Sequence, residues 1–276
     1  MDHTSLKLYR TERGIVAQEN QTYYLLEETD WDKFINDDEL YEKTRNSIKN
    51  ALPINETGQI LSPVSAQELW ACGVTYLRSK QGRQEESKDG GDIYARVYDA
   101  ERPEVFFKGN THRISAPGRP VRIRKDSGWD VPEPELTLLA SSSGKIIGYT
   151  IGNDMSSRSI EGENPLYLPQ AKTFDGCASV GPCILVMNQA ISRDAEIQLS
   201  ILRDSKEVFF GSVQLNQMKR GLEELVGYVY KECSFPHGAF IMTGTGIVPD
   251  HDFTLNSGDL IRISISGIGT LENPVA

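Results

Sequence analysis

The segment Trp129-Asp-Val-Pro-Glu-Pro-Glu-Leu-Thr-Leu-Leu-Ala-Ser-Ser-Ser-Gly-Lys-Ile-Ile-Gly-Tyr-Thr-Ile-Gly-Asn-Asp154 predicts a β-hairpin, because two apolar runs flank a Ser/Gly turn. Pro132 and Pro134 favour extended backbone at its start. Residues two apart on a strand share a face, so Glu133 and Glu135 point to the same side. The first strand therefore carries two carboxylates on one face.

The turn decides which residue of the second strand joins these glutamates. A two-residue turn at Ser143-Gly144 places Glu135 opposite Gly152 and Glu133 opposite Asp154. Like charges directly opposite one another destabilise a sheet, and burying them unpaired is costly. A divalent cation resolves the conflict, and carboxylate oxygens suit Mg²⁺, Mn²⁺ or Ca²⁺. The hairpin thus predicts a metal site, with a solvated acidic strand edge as the alternative.

The composition excludes several classes of protein. The chain has 276 residues, 39 acidic and 29 basic, with a net charge of −10. An acidic chain is a poor partner for nucleic acid or an anionic membrane. The N-terminus carries no apolar run and no stretch of about 18 apolar residues exists, so we expect no signal peptide and no membrane-spanning helix.

The four cysteines predict neither a zinc site nor a disulfide framework, because they are scattered and form no Cys-x-x-Cys pair. They are Cys72, Cys177, Cys183 and Cys233. Buried free thiols in a reducing compartment are the expected state. The predicted location is therefore cytoplasmic.

The chain divides into a small N-terminal α/β domain at 1–63 and a catalytic domain at 64–276. The first domain is expected to hold strand-like pieces at 6–9 and 22–26 and a helical stretch at about 30–49. In the second, short apolar runs alternate with Gly/Pro turns, which predicts a β-rich α+β fold. Its strands are expected at 104–108, 120–125, 134–140, 145–152, 181–187, 196–202, 206–213 and 259–266.

Helices are predicted at two places in the larger domain. Ser65 to Trp70 has a capping-box pattern, and residues 217–232 carry apolar side chains at helical spacing. The charged segment from about Arg78 to Gly91 is expected to be a long loop of the kind that covers active sites.

Two further features offer groups to an anionic substrate. A lysine close to these carboxylates could stabilise an enolate oxygen, and Lys172 is the candidate. The alternative is that Lys172 lies on the surface. The Thr243-Gly-Thr245 run offers backbone N–H groups to an anion, and the alternative is a plain turn.

Several motifs together resemble the fumarylacetoacetate hydrolase family, from about Glu68 to the C-terminus. The motifs are Gly73-Val-Thr-Tyr76, Phe106-Phe-Lys108, Pro134-Glu-Leu136, Ile147-Gly-Tyr149, Asn153-Asp-Met-Ser-Ser-Arg158, Lys172, Gly181-Pro182, Thr243-Gly-Thr245 and Gly258-Asp-Leu260 with the closing Gly267-Ile-Gly-Thr-Leu-Glu-Asn-Pro-Val275.

The resemblance implies a mixed β-sandwich roll, a homodimer or dimer of dimers, and Mg²⁺ held by three carboxylates. The residues that match the family's ligands are Glu133, Glu135 and Asp154. Lys172 matches a lysine that contacts the substrate and is assigned a catalytic role. The expected substrate contacts are Tyr76, Arg78, Lys108 and Thr245.

The lid segment favours a lyase over a hydrolase. Hydrolytic members carry a His and a Glu there to activate water, whereas this lid has Glu85 and Glu86 but no histidine. The stretches 97–104 and 159–172 resemble the branch of the family that contains 2-keto-3-deoxy-D-arabinonate dehydratase. The implied reaction is dehydration of a 2-keto-3-deoxy sugar acid, with a 2-keto-3-deoxy-pentonate giving 2,5-dioxopentanoate.

In that reaction a base removes a proton from carbon 3 and the hydroxyl on carbon 4 leaves as water. Rearrangement of the product then yields 2,5-dioxopentanoate. Glu104 is the expected acid/base, with Glu101 and Glu85 as alternatives. Arg78 and Arg83 are expected to influence which sugar acid binds. Two other functions stay open, namely a hydrolase or decarboxylase of a β-diketo acid such as an acylpyruvate or oxaloacetate, and a non-catalytic sugar-acid-binding protein.

Overall fold

The computed structural model describes the backbone of residues 5–86 and 91–276 and the side chains of residues 5–82 and 93–276. The strands of this part of the chain are β1 (Leu6–Thr11), β2 (Gly14–Glu19), β3 (Thr22–Leu25), β4 (Leu52–Ile54), β5 (Glu68–Gly73), β6 (Glu104–Gly109), β7 (Ile114–Ser115), β8 (Asp130–Ala140), β9 (Ile146–Ser157), β10 (Ala178–Val186), β11 (Glu196–Arg203), β12 (Lys206–Gln214), β13 (Ala239–Met242), β14 (Leu260–Ile265) and β15 (Gly269–Pro274). The helices are α1 (Trp31–Ile35), α2 (Leu40–Ile48), α3 (Leu77–Glu86), α4 (Gly91–Asp99), α5 (Arg158–Glu163), α6 (Leu168–Lys172) and α7 (Leu222–Tyr230), with 3₁₀ turns at Thr111–Arg113, Pro165–Tyr167 and Leu215–Gln217.

The strands form two sheets. Within the described residues the larger sheet has eleven strands in the order β4-β3-β2-β1-β10-β9-β8-β13-β5-β6, with β7 beside β10. The smaller sheet has four, in the order β12-β11-β14-β15. Most neighbours are antiparallel, while β13–β5 and β10–β7 are parallel. This mixed, β-rich arrangement confirms the predicted α+β class.

The two faces of the central hairpin, β8 and β9, pack against different layers. Leu136 and Leu138 of β8 belong to a core shared with Ile263 of the smaller sheet. Leu139 points the other way, into a second core that includes Phe34 of α1. Because side chains alternate along a strand, residues 133, 135 and 139 share the face turned away from the smaller sheet. That face carries the predicted site.

The hairpin turn differs from the prediction, although the pairing in the site does not. The Ser141 N–H donates to the Lys145 carbonyl at 2.9 Å, which makes Ser142–Gly144 a three-residue turn rather than a two-residue one. Gly144 has φ +81°, a left-handed conformation that favours glycine. The longer turn shifts the register by one residue, and a bulge at Ile147 shifts it back.

The predicted helix at 65–70 is wrong, because this segment leads into strand β5. The groups that would cap a helix bind elsewhere: Ser65 Oγ donates to Asp32 Oδ2 at 3.1 Å, and the Ala66 N–H donates to Asp32 Oδ1 at 3.2 Å. β5 then pairs with both β13 and β6 inside the sheet. Tertiary contacts therefore outweigh the local capping pattern.

Two more local predictions are wrong. The expected loop at 78–91 is helical up to Glu86, in α3, because Leu, Arg, Lys, Gln and Glu are good helix formers whatever their charge. Gly91 begins α4, and residues 87–90 lie outside the described part of the chain. The expected strand at 120–125 is reduced to a single bridge between Val121 and Val275. The Arg122 N–H instead donates to the Gly176 carbonyl, which ends the pairing.

The remaining strand predictions are confirmed to within a few residues, and the helix predicted at 217–232 forms from Leu222 to Tyr230. Cys72, Cys177 and Cys183 are buried free thiols as predicted, whereas Cys233 is exposed. Among the described residues no helix is long and apolar enough to cross a membrane.

The N-terminal strands continue the larger sheet of the second domain. β1 pairs antiparallel with β10, and β2, β3 and β4 follow in order to the edge of the sheet. The division at residue 63 therefore crosses a continuous sheet, and it stays a prediction.

Candidate active site

The three predicted acidic residues come together in a buried cluster. Glu133 pairs directly with Asp154 across the hairpin, and Glu135 pairs with Gly152. One carboxylate oxygen from each of Glu133, Glu135 and Asp154 lies within 4.8 Å of the others. All three residues are at most 4% exposed. The sequence prediction of their shared face is confirmed, and buried oxygen ligands at this spacing fit a hard divalent cation.

Lys172, the last residue of α6, reaches two of these carboxylates. Its Nζ donates to Glu133 Oε2 at 2.8 Å, to Asp154 Oδ2 at 3.1 Å and to Ser156 Oγ at 2.6 Å. The side chain is fully buried. The surface alternative is therefore wrong for this lysine, because its ammonium neutralises two carboxylates that water does not reach.

A second buried lysine, Lys108 of β6, contacts the opposite oxygen of Asp154. Its Nζ lies 2.6 Å from Asp154 Oδ1 and donates to the Met155 carbonyl at 2.9 Å. It also donates to the main-chain carbonyl of Lys172. One carboxylate and two main-chain carbonyls therefore surround this ammonium.

Arg158, the first residue of α5, completes the set of cations around the cluster. Its Nη2 donates to Glu133 Oε1 at 2.7 Å, and its Nη1 lies 4.0 Å from Glu161 Oε2 on the same helix. Arg158 and Glu161 are both buried. Sequence reasoning assigned Arg158 no role, although it ends the quoted Asn153–Arg158 motif only four residues after Asp154.

The carboxyl group of Glu135 is fully buried and lies beside two other acidic groups. Burial raises the pKa of its carboxyl well above the ordinary value, and the charges of Asp154 and Glu133 raise it further. The Gly244 N–H donates to Glu135 Oε2 at 2.5 Å, which opposes the rise. The 243–245 turn thus offers an N–H to an anion, as predicted, but the anion is a carboxylate of the protein. A cation among the three carboxylates would favour ionised Glu135.

Glu104, the predicted acid/base, begins β6 and pairs with Gly73 of β5. Its Oε2 is buried and has no hydrogen-bond partner among the described residues. Glu101 is exposed, and its main-chain carbonyl accepts from Arg220 at 2.8 Å. The side chains of Glu85, Glu86 and Arg83 lie outside the described residues.

The other predicted substrate contacts occupy different environments. Thr245 is buried at the cluster, and its Oγ1 exchanges hydrogen bonds of 3.1 Å with the main chain of Ile247. Tyr76 packs in the core between the sheets, where burial raises the pKa of its hydroxyl. Arg78 is partly exposed on α3, with Nη2 3.8 Å from Asp250 Oδ1. The structure thus brings Thr245 to the carboxylates, while Tyr76 and Arg78 do not line the cavity beside them.

That cavity is small and enclosed. It measures about 10 Å³, close to the space that one water molecule requires. It is lined by the three carboxylates, Arg158, Lys172, Thr245, Cys72, Gly73, Val74, Ser79, Phe106 and Gly244. No histidine of the described chain lines it. A larger groove of about 630 Å³ lies at the turn end of the hairpin, beside Ser143 and Tyr230, and contains none of the three carboxylates. The candidate site is therefore recognised by its three carboxylates, because the larger of these two cavities contains none of them.

This chain is similar in sequence to a known protein family and to two described enzymes. The family model for the fumarylacetoacetate hydrolase C-terminal domain matches residues 77–276. A protein of Haloferax volcanii, described as a probable 2-keto-3-deoxyxylonate dehydratase, is 49% identical over 77% of this chain and 73% of its own. The 2-dehydro-3-deoxy-D-arabinonate dehydratase of Saccharolobus solfataricus is 41% identical over 83% of this chain and 78% of its own.

The fold is similar to that of a solved 2-keto-3-deoxy-D-arabinonate dehydratase complexed with magnesium and 2,5-dioxopentanoate. The TM-score is 0.82 at 35% identity, with 98% of each chain covered. A fumarylacetoacetate hydrolase of Exiguobacterium antarcticum has the same fold at a TM-score of 0.71, covering 99% of each chain at 20% identity. The chain belongs to the fumarylacetoacetate hydrolase family.

Proposed function

We propose that this protein is a Mg²⁺-dependent hydro-lyase that dehydrates a 2-keto-3-deoxy sugar acid. The expected substrate is a 2-keto-3-deoxy-pentonate and the expected product is 2,5-dioxopentanoate. The observation that carries the proposal is the buried cluster of Glu133, Glu135 and Asp154 with the Lys172 ammonium on two of its members. Two relatives more than 40% identical are described as dehydratases of such acids.

The three carboxylates would hold the ion through oxygen ligands, which Mg²⁺, Mn²⁺ and Ca²⁺ share. A bound divalent cation supplies Lewis acidity to a 2-keto acid and so acidifies the protons on carbon 3. The protein's own task is then to remove one of these protons and to stabilise the negative charge that develops on the keto oxygen.

We assign proton removal to Glu104, whose buried Oε2 has no hydrogen-bond partner among the described residues. A positioned base of this kind typically contributes 10²- to 10⁴-fold to a rate, roughly. Lys172 stabilises the developing charge, because two of its three partners are the proposed ligands and a cation there would release its donors. Thr245 lines the same cavity, and we expect it to contact the acid end of the substrate.

One assay tests the proposal. The purified protein is incubated with Mg²⁺ and 2-keto-3-deoxy-D-arabinonate or its xylonate counterpart, and 2,5-dioxopentanoate is followed by NMR. We expect product with Mg²⁺ and none after chelation. Pyruvate from acylpyruvates, with no product from any ketodeoxy acid, would instead favour the hydrolase alternative.

Two neighbouring glutamates supply a matched comparison in the same assay. Glu104→Gln should lower kcat by roughly 10²- to 10⁴-fold without changing Mg²⁺ affinity. Glu101→Gln should retain wild-type kcat, since Glu101 is exposed. An equal loss of kcat in both variants would show that Glu104 is not the base. A homodimer or dimer of dimers in the cytoplasm stays a prediction, which light scattering and fractionation would test.

A further inference from the structure

The main chain of Gly73 borders the carboxylate of Glu104. The two residues pair across β5 and β6. A Cβ placed on Gly73 would lie 1.8 Å from Glu104 Oε2 and 2.7 Å from its Cδ. Real Cβ atoms essentially never approach within 3.0 Å of another heavy atom. The Glu104 carboxylate therefore fills the volume that any side chain at residue 73 would need.

This contact is at the edge of the active site. Gly73 lines the cavity that holds Glu133, Glu135 and Asp154. Glu104 Oε2 is buried beside Gly73, and among the described residues no donor fixes its position. The position of Glu104 Oε2 is therefore limited by its packing against the backbone of Gly73, which has no side chain.

We propose that Gly73 is a positioning residue for the reaction, which it serves by leaving room for the Glu104 carboxylate. This inference rests on the proposed role of Glu104 as the base. A methyl group at residue 73 would push the carboxylate away by about 1 Å or more, and a displacement of that size can cost about 10²-fold in rate.

The substitution is mild for the fold. The three heavy atoms nearest to a Cβ at residue 73 all belong to the Glu104 side chain, and the closest two are at its flexible end. Gly73 does not have a positive φ angle, so its backbone conformation is one that alanine can adopt. An alanine there should fold normally and misplace the carboxylate.

The test compares Gly73→Ala with Gly227→Ala, which adds a methyl group in open space on α7. We expect Gly73→Ala to lower kcat by about 10²-fold, with KM, Mg²⁺ affinity and Tm close to those of the control. Turnover equal to that of the control would overturn the proposal. So would a raised KM with unchanged kcat, because the methyl group would then be blocking substrate rather than moving the base.

A double variant separates positioning from general damage. If Gly73 acts through Glu104, adding Gly73→Ala to Glu104→Gln should lower kcat no further. If the two residues act independently, the fold-losses in kcat should multiply. A crystal structure of Gly73→Ala should show the Glu104 carboxylate displaced, and an unmoved carboxylate would overturn the proposal. That structural result holds even if the wild-type protein dehydrates no ketodeoxy acid, an outcome that would count against the proposed function instead.

Discussion

Glu133 and Asp154 lie directly opposite each other on β8 and β9, and a single ammonium donates to both carboxylates. Two like charges in this position would repel each other across the sheet. The Lys172 ammonium offsets the repulsion, and it does so by binding two of the carboxylates that would hold a divalent cation. Metal binding and the position of Lys172 are therefore coupled through shared partners.

Glu135→Gln should abolish Mg²⁺ binding and turnover while the protein stays folded. The amide has nearly the shape of the carboxylate and can still accept from the Gly244 N–H, but it contributes no charge to the ion. Calorimetric titration with Mg²⁺ measures the binding, with Glu39→Gln as an exposed control. Undiminished turnover in Glu135→Gln would remove the metal site from the mechanism.

Lys172→Met should destabilise the metal-free protein and increase its response to Mg²⁺. Removing one partner of a buried ion pair typically costs about 3–5 kcal/mol, because the other charge stays buried. We expect a lower Tm without metal and a larger rise in Tm on adding Mg²⁺ than in the wild type, together with loss of turnover. Lys145→Met is the matched control, since its pair with Glu39 is exposed and should contribute little to stability. An unchanged Mg²⁺ response would show that Lys172 and the ion do not compete.

Substitutions of Lys108 should lower kcat rather than raise KM. Its Nζ forms an ion pair with Asp154 and donates to the main-chain carbonyls of Met155 and Lys172, so we propose that it holds these groups in place. Lys108→Met and Lys108→Arg should both lower kcat, because neither side chain reproduces three diverging donors. Steady-state kinetics on the ketodeoxy acid distinguish the roles. A raised KM with unchanged kcat would restore the predicted contact between Lys108 and the substrate.

Asp38→Asn should reduce stability at neutral pH but not in acid. Hydrogen bonds from Ser141 and then Ser143 hold the pKa of the Asp38 carboxyl below its ordinary value. A depressed pKa in the folded state stabilises the protein above the unfolded pKa, about 3.9, and this contribution is lost as pH falls through the folded pKa. The Tm gap between wild type and variant, measured by calorimetry, should therefore shrink from pH 6 to pH 2.5. A gap independent of pH would contradict this origin.

Some features of this protein follow from local sequence. Pro132 and Pro134 hold the first strand extended, and strand alternation puts Glu133 and Glu135 on one face. The apolar spacing from Leu222 to Val229 specifies a helix, and it forms. These predictions hold because backbone geometry and side-chain period act over a few residues.

Other features depend on contacts that are distant in sequence. Asp32 binds the segment before Glu68 and so prevents the helix that the capping pattern favours. The predicted pairing of Glu133 with Asp154 is confirmed, although the predicted two-residue turn is wrong. The two agree because a bulge at Ile147 offsets the extra residue of the turn.

The sequence by itself determined that Glu133, Glu135 and Asp154 share one face of the hairpin, because strand alternation and register act along the chain. The tertiary structure alone decided which side chains lie beside these carboxylates. It buried Lys172 and Lys108 against Asp154, brought Arg158 to Glu133, and placed Glu104 against Gly73. These contacts join segments that are up to 46 residues apart, in pairs such as Lys108 and Asp154. Their geometry is set by packing between layers, which no local pattern encodes.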